Sequence, residues 1–514
     1  MRLLMTHGYM LSGTGSNIYV QNLCRALVRG GHEIHLLCQE AEPLAYDFVG
    51  AHAAVDGGRI ERLGEQETAS PGRCVVYNPR VGDLLPVYVY DEYPGWRVKT
   101  FLDLTDSELE KYLGCNVEAV GVVLRASGAQ AAVTNHSVPG PLIARRALLD
   151  SGISYASIVH GSCLQYVSRK SGKYMDLTRE GLDGAGEILA LSSHSAGTIA
   201  KDLPHLAGKT RVLPGGVDTD LFRPDALDLT VLESLNGGRG RGPDQQRALE
   251  EKLDRSEDAE DLMDGLKEIS ASYDPRSPDR DAGDRLAPPL TSDTPLVVYL
   301  GKLIHSKGVH SLISAFVPVH KETGACLLVI GFGTLREGLQ ALVRALDEGD
   351  EKTVEYLAER GRLLEGGPAP LEHFDPTQTL PRVADGFGEA VEFVGPLGHA
   401  ELAKLLPAAD VAVVPSIFPE TFGLVAAEFA AAGVVPFVAD HSGLREAGAF
   451  VGRGLPFDLQ VPMENFEQNL SAALVGFLSR PEEERRHHAG TVRRNSVESL
   501  GWNTLAEKIV DAFQ

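Results

Sequence analysis

Long apolar runs are missing from this chain. No stretch approaches the ~20 consecutive apolar residues a bilayer core demands, so a spanning helix is not expected. The opening Met1-Arg2-Leu3-Leu4-Met5-Thr6-His7-Gly8 is too short an apolar run for a signal peptide. Paired cysteines are lacking too. Cys24, Cys38, Cys74, Cys115, Cys163 and Cys326 are scattered, with no C-x-x-C and no metal-ligand spacing. Most lie in apolar runs, which suits reduced core thiols. Basic residues are in deficit: Lys+Arg 48 against Asp+Glu 71 gives a formal charge of -23. Such a field repels phosphate backbones, so nucleic acid is not an expected partner. It disfavours anionic lipid surfaces as well, without barring peripheral membrane contact. One phosphorylated small molecule in a local pocket remains compatible with it. The expected location is the cytoplasm.

What is present is an ordinary globular composition, 43% hydrophobic over 514 residues, long enough for two or three domains at roughly 150 residues each. Short apolar runs alternate with amphipathic segments, the signal of βαβ units and parallel sheets. Leu3–Thr6 reads as a strand, Gly8–Ser16 as a glycine-containing loop and Asn17–Arg29 as a helix closed by Gly30-Gly31. Further strands are expected at Glu33–Cys38, Ala131–Thr134, Ser157–His160 and Glu187–Ser192, then at Pro295–Leu300, Thr323–Ile330, Val391–Val394 and Asp410–Pro415. His136 and His160 sit at or just past the carboxyl ends of two of these strands, where open α/β sheets bind ligands. Between the halves, from about Asp225 to Ser292, a Gly/Arg run, an acidic run and a Pro/Asp/Arg-rich tail carry few large apolar residues. That composition predicts a mobile, disordered acidic insertion with one amphipathic helix near Gln245–Ile269. A second irregular region is expected at about Asp347–Asp385.

The strongest chemical signal runs from Pro415 to Gly433. A buried strand ends at Pro415, a loop holds Glu420, and a helix from near Phe422 holds Glu428 about two turns on, roughly 10 Å along the axis. The N–H groups of Phe422, Gly423 and Leu424, with Thr421 just before them, are read as a first turn free to bind a diphosphate. One carboxylate is then placed for sugar hydroxyls and the other for ribose hydroxyls. In isolation, such an E-x7-E pair is better explained as a helix-start acid and a solvated one. A second cluster is Gly301-Lys302-Leu303-Ile304-His305-Ser306-Lys307-Gly308, where Lys302 and Lys307 can neutralise charge on one diphosphate as it departs. A third is Gly13-Thr14-Gly15-Ser16-Asn17, whose glycines permit close backbone approach or simply make a turn.

Other residues are more ambiguous. His160, with Gly161 behind it, can orient a sugar hydroxyl or support a leaving phosphate; His136 serves either the same site or the core. Tyr88, Tyr90, Tyr93 and Trp96 either stack on a sugar or pack the domain, and packing is favoured. Asp218-Thr219-Asp220 has the spacing of a divalent-ion motif, but its place in a turn is explained by turn chemistry, and no metal is expected there.

Together these residues resemble glycosyltransferase family 4, the retaining enzymes of GT-B architecture. The Gly13–Asn17 loop with its helix, Gly215–Pro224, Gly301–Gly308, Val391–Gly395 and Pro415–Gly433 match in family order. The resemblance implies an α/β fold of two Rossmann-like domains facing across a cleft. These are an acceptor domain over 1–213, a nucleotide-sugar domain over 214–495 interrupted by the 225–292 insertion, and a last helix over 496–514 returning to the first domain. It implies that Glu420 binds the donor sugar, Glu428 the ribose, and Lys302 and Lys307 the diphosphate. Gly15 would close over that diphosphate, with His160 near the sugar. Lys302 departs from the pattern, since arginine is commoner there and grips with two prongs. His441-Ser442-Gly443-Leu444-Arg445-Glu446 matches the Gly-Gly-x-x-Glu position only in part.

The activity implied is hexosyl transfer from a UDP- or GDP-sugar to an unidentified hydroxyl, by front-face attack with a diphosphate leaving group and no bound cofactor. His136, Tyr93 and Trp96 are the candidates for acceptor contact. A GT-B sugar-nucleotide epimerase and a non-catalytic nucleotide-sugar-binding protein are the alternatives, because the fold alone does not decide. A glycogen-type phosphorylase would need a lysine-bound pyridoxal phosphate, and no lysine is marked for one.

Overall fold

The computed structural model of the chain describes residues 1–13, 15–89, 93, 95–255, 259–367 and 369–513. Thr14 and Tyr90, singled out above, lie outside them. The chain divides into two compact units, Met1–Gly216 with Leu500–Gln514, and Val217–Ser499.

The first unit is built on β1 (Arg2–Thr6), β2 (Glu33–Leu37), β3 (Val49–Asp56), β4 (Arg59–Glu65), β5 (Arg73–Pro79), β6 (Leu84–Val87), β7 (Arg97–Thr100), β8 (Ala131–Asn135), β9 (Tyr155–Val159), β10 (Glu187–Ala190) and β11 (Thr210–Val212). Nine of them form one sheet in the order β11-β10-β9-β8-β1-β2-β5-β3-β4. It is parallel except for the β3–β4 hairpin. Leu3, Leu4 and Met5 are fully buried, as a strand covered on both faces requires. The connections run in opposite directions from β1 and β8, so the carboxyl ends of that pair, where Thr6 lies beside Thr134, form a topological switch point.

The helix after β1 begins at Gly15 and buries Tyr19, Val20, Leu23 and Leu27. Gly31 ends it with φ 81°. A capping box between Thr105 and Glu108 starts the helix Asp106–Ser127. The last helix, Trp502–Asp511, belongs to this unit. Trp502 meets Tyr19 edge-on at 4.8 Å and occupies the space where a Cβ on Gly216 would stand.

The second unit has β12 (Leu296–Leu300), β13 (Cys326–Ile330), β14 (Val391–Val394), β15 (Val411–Val414), β16 (Val435–Ala439) and β17 (Gln460–Val461). They form a sheet in the order β14-β13-β12-β15-β16-β17, parallel throughout. Its switch point lies between β12 and β15. No helix among the described residues is long and apolar enough to cross a membrane.

Two sequence expectations are corrected here. The described residues of the 225–292 stretch are folded, not a disordered insertion. The stretch forms a 3-10 turn over Leu229–Leu235 and the helices Pro243–Arg255, Ala259–Ala271 and Ala282–Thr291. Most of its sparse large apolar residues are used: Leu232, Leu235, Leu249, Leu262, Met263, Leu266, Ile269, Leu286 and Leu290 are buried, while Leu227 is exposed. Charge supplies the rest, because Arg241 pairs with Glu337 and Asp279 with Arg336, all buried. The Asp347–Asp385 region likewise contains a helix, Glu351–Arg360, that buries Val354 and Leu357.

Candidate functional site

In the second unit, the loops after β12 and β15 are bonded to each other. Ile417 N–H and Phe418 N–H both donate to the Ser306 carbonyl, at 3.0 and 3.3 Å. Gly308 makes this possible: its φ is +67°, and a Cβ there would stand 2.1 Å from the Pro415 carbonyl oxygen. Lys307 is thereby brought to Glu420, with Nζ 2.6 Å from Oε1. Ser416 Oγ donates to the same Oε1. Lys307 and Glu420 are partly exposed, at 30% and 23%, so the pair is open to a ligand.

The loop after β16 braces this carboxylate from behind. Glu420 N–H donates to Ser442 Oγ at 2.9 Å, and Gly443 N–H donates to the Glu420 carbonyl at 2.9 Å. His441 Nε2 donates to the Ser416 carbonyl at 2.6 Å, which leaves Nδ1 to accept from Ser442 Oγ at 2.9 Å. A Cβ on Gly443 would strike the Thr421 backbone. Ser442 holds φ 49°, a left-handed conformation uncommon outside glycine and asparagine. So the imperfect Gly-Gly-x-x-Glu match has a local use: serine, standing where glycine is expected, accepts the Glu420 amide.

The helix bearing Glu428 runs Leu424–Ala431, with Gly423 as N-cap. The expected start near Phe422 is corrected. Phe422 is buried against Phe450, and Gly423 packs its Cα where a Cβ would press on Leu444 and Ala447. The free first-turn donors are therefore those of Leu424, Val425 and Ala426. Glu428 Oε1 lies 3.3 Å from His399 Nε2. The Glu428 carboxylate raises the His399 pKa above its ordinary value against the opposing effect of burial, and Asp218 adds to the rise. Asp218 itself closes its turn, its Oδ1 accepting the N–H groups of Asp220 and Leu221.

Lys302 is exposed and has no ion pair among the described residues, so the structure gathers one of the two expected ammonium groups at Glu420. Sequence reasoning also missed Tyr299. Its buried hydroxyl donates to the Lys302 carbonyl at 2.9 Å; burial, with the Glu420 charge adding, holds it protonated. Missed too were Gly331 and Gly333, where any Cβ would strike the backbone of Gly301 and Leu303. A Gly-Phe-Gly at a strand end was the available signal. The Glu365 carboxylate accepts the His305 N–H at 2.9 Å, so the irregular region holds the lysine loop in place.

In the first unit, His160 follows β9, and Gly161 at φ 87° turns the chain behind it. His160 Nε2 donates to Asn135 Oδ1 at 2.9 Å; the acceptor role is fixed because Asn135 Nδ2 donates to the Thr6 carbonyl. Burial and neighbouring His7 depress the His160 pKa to about 3. His136, 4.8 Å away between ring centres, is 2% exposed and has φ 71°. His7, which the sequence gave no reason to single out, stacks on His136 at 5.8 Å and bonds Asn17 Oδ1 through Nε2 at 3.0 Å. Gly15 opens the helix with open space around it. Tyr93 and Trp96 are half-buried against Tyr9, Leu85 and Val87, while Tyr88 packs on Phe101 at 5.0 Å and on His136 at 4.6 Å.

These two halves match two family models: residues 14–216 fit the glycosyl transferase 4-like domain, and residues 384–455 fit glycosyl transferases group 1. The chain is thus similar to GT4-like glycosyltransferases in part of each unit. Over 221 residues it is 30% identical to glycogen synthase of Mycobacterium tuberculosis, covering 42% of each chain. Over 150 residues it is 33% identical to D-inositol 3-phosphate glycosyltransferase of Thermomonospora curvata, covering 29% of this chain and 33% of that one. The matches thus span less than half the length of these relatives. Among solved structures, sucrose-phosphate synthase from Thermosynechococcus elongatus superposes with TM-score 0.57 at 18% identity, covering 100% of this chain and 98% of that one. HepE from Anabaena, solved with UDP and glucose, does so with TM-score 0.54 at 13% identity, covering 99% and 98%. At such identities the superpositions establish the shared GT-B fold alone.

Proposed function

We propose that this GT4-like chain is a retaining glycosyltransferase. It moves a hexosyl group from a UDP- or GDP-linked sugar to a hydroxyl acceptor. The observation that carries the proposal is the Lys307–Glu420 pair, held open at a sheet switch point beside a helix N-terminus. The names of the relatives, and the UDP and glucose bound by HepE, support a nucleotide-sugar donor.

The chemistry follows from the residues. The donor diphosphate lies on the N–H groups of Leu424, Val425 and Ala426, at the positive end of their helix. The Lys307 ammonium neutralises the charge that builds as the glycosidic C–O bond to phosphate breaks. Lys307 and Ser416 both engage Oε1 of Glu420, so Oε2 is the oxygen turned to the sugar hydroxyls. Glu428, steadied by His399, takes the ribose hydroxyls. The acceptor oxygen bonds to the anomeric carbon on the face the diphosphate leaves, and its proton passes to the departing phosphate. No protein nucleophile or general base is assigned; positioning supplies much of the rate. Lys302 extends the cationic edge of the site. His160 and Gly15 are assigned to the donor by the family resemblance alone.

Incubation with a panel of nucleotide sugars and hydroxyl acceptors tests the proposal. Acceptor-dependent release of nucleoside diphosphate, with the product anomer matching the donor on NMR, is expected. Sugar isomerisation without an acceptor would make the chain an epimerase; saturable donor binding with no turnover would make it a binding protein.

A further inference from the structure

His399 places a titratable ring against the second acid of the candidate donor site. It opens the helix His399–Leu405, just beyond β14, and its Nε2 lies 3.3 Å from Oε1 of Glu428. Phe222, 2% exposed, meets the imidazole edge-on at 6.0 Å between ring centres.

The walls around this pair are tied together. Arg493 Nη1 donates to the carbonyls of Phe222 and Ala431 at 2.7 and 2.8 Å, and its Nη2 to that of Thr219 at 2.9 Å. The turn carrying Asp218 and Phe222 is thereby bonded to the end of the helix that carries Glu428. The His399 side chain is 44% exposed and that of Glu428 15%. The imidazole can therefore exchange protons with solvent while its carboxylate partner stays in place.

Charge is what this imidazole supplies. Glu428 and Asp218 are the acids that act on it. The other charged groups on the surrounding elements are engaged elsewhere. Lys404, on the same helix, pairs with Asp228, and Glu401 folds back over Gly398. In the neighbouring turn Arg223 pairs with Asp225, while Asp220 and Asp225 act on Arg493. A neutral imidazole can still donate from Nε2, so loss of the proton spares the hydrogen bond and removes the charge. Glu428 and Asp218 are then left uncompensated. Glu428 is four residues beyond Leu424, roughly 6 Å along the axis from the N–H groups assigned to the diphosphate.

We propose that the imidazolium of His399 is the counter-ion that positions Glu428, holding Oε1 so that Oε2 meets the ribose, and that nucleotide-sugar affinity falls as His399 loses its proton. This role rests on the transferase function proposed above and adds to it a proton that the donor site holds. The sign follows from the neighbours. Glu428, with Asp218 adding, raises the His399 pKa above its ordinary value near 6.5 against the opposing effect of burial. The imidazolium is complete below that value and is lost as pH rises through the raised one. An anionic donor favours the charged form further, so binding takes up protons.

Calorimetry on the full chain tests this with UDP-glucose, UDP-N-acetylglucosamine, GDP-mannose and ADP-glucose between about pH 6 and about pH 8.5, the imidazole range. Both phosphates of a nucleotide sugar are esterified, so they carry the same charge throughout. Wild type binds its donor about fivefold more weakly at the alkaline end, and takes up protons on binding within the range. His399→Gln keeps a donor group without charge; its affinity is flat with pH and equals that of alkaline wild type. His399→Arg keeps the charge at every pH and restores the acid affinity at the alkaline end. Wild-type affinity that is flat with pH, a wild-type slope in His399→Gln, or His399→Arg binding no better than His399→Gln overturns the role of His399 and leaves the donor site standing. Binding of no nucleotide sugar at any pH removes the transferase function, and this role with it.

Discussion

Arg241 and Glu337 bury an ion pair between the 225–292 segment and the body of the second unit, with Nε 3.0 Å from Oε1 and both side chains 1% exposed. The adjacent residue, Arg336, reaches back to Asp279 of the segment at 2.8 Å. One arginine and one carboxylate thus come from each side, and neither surface could be covered by apolar residues alone. Removing one member leaves an unpaired buried charge, which costs about 3–5 kcal/mol. Arg241→Met therefore lowers the unfolding free energy of the second unit, read from urea melts, by that amount. Arg241→Met with Glu337→Met recovers part of the loss, the remainder reflecting the Tyr273 hydroxyl that also donates to Glu337. An unchanged midpoint in Arg241→Met would mean the segment docks by other means.

At the candidate donor site the expected signature is a large loss of rate with a small loss of stability. Lys307 and Glu420 are partly exposed, and such pairs contribute about 0–1 kcal/mol to folding. Against developing charge, a preorganised group is worth about 10²–10³ in kcat. Lys307→Met and Glu420→Gln each reduce turnover by that factor while the denaturation midpoint stays nearly fixed. Full sugar transfer by folded Glu420→Gln removes Glu420 from the site.

Ser442 separates backbone strain from hydrogen bonding. Its φ of 49° favours glycine, while its Oγ accepts the Glu420 N–H. Ser442→Gly relieves the strain but unpairs the amide; Ser442→Ala keeps the strain and unpairs it as well. Both raise the KM for the donor, and Ser442→Ala alone loses stability, by about 1–2 kcal/mol. Donor titrations and thermal melts of the two variants distinguish the effects.

What the sequence made legible follows from burial. Pro415–Gly433 is readable because an apolar strand, a loop acid and an alanine-rich helix are contiguous, and each leaves a local pattern. The β3–β4–β5 region was not recognised: β4 is exposed along nearly its whole length, so it carries no alternation of apolar and polar residues. Arg241 and Asp279 look like solvated charge until Glu337 and Arg336 are placed against them. His7, His136 and His160 come together only through the β1–β8–β9 order of the sheet, which one-dimensional spacing does not encode.

That histidine cluster predicts acid sensitivity. Burial lowers His7 to about 4 and His160 to about 3, and drives His136 lower than its ordinary value too. All three are neutral when folded, while the unfolded chain takes up protons below about pH 6.5. Stability present above that pH is therefore lost as pH falls through it. Denaturant melts between about pH 7.5 and about pH 5 show the first unit weakening, with a proton uptake that His136→Asn reduces by about one. Equal stability across that range would mean the histidines are solvated.

Glu467 has the opposite sign and resides in the second unit. It is 9% exposed, and its Oε1 makes no hydrogen bond. Burial, with Asp375 adding, raises its pKa to about 7 against the opposing effects of Ser314 and Arg382. The folded state keeps a proton that the unfolded chain gives up above its ordinary value near 4.5. Its contribution is complete below that value and is lost as pH rises through about 7, where the carboxylate ionises inside the fold. Glutamine keeps the shape and never ionises, so Glu467→Gln stabilises the second unit by about 1–3 kcal/mol at alkaline pH. The gain disappears in acid, where wild type is already neutral. Denaturation midpoints of the two proteins that run parallel from acid to alkaline pH would show that Glu467 ionises normally.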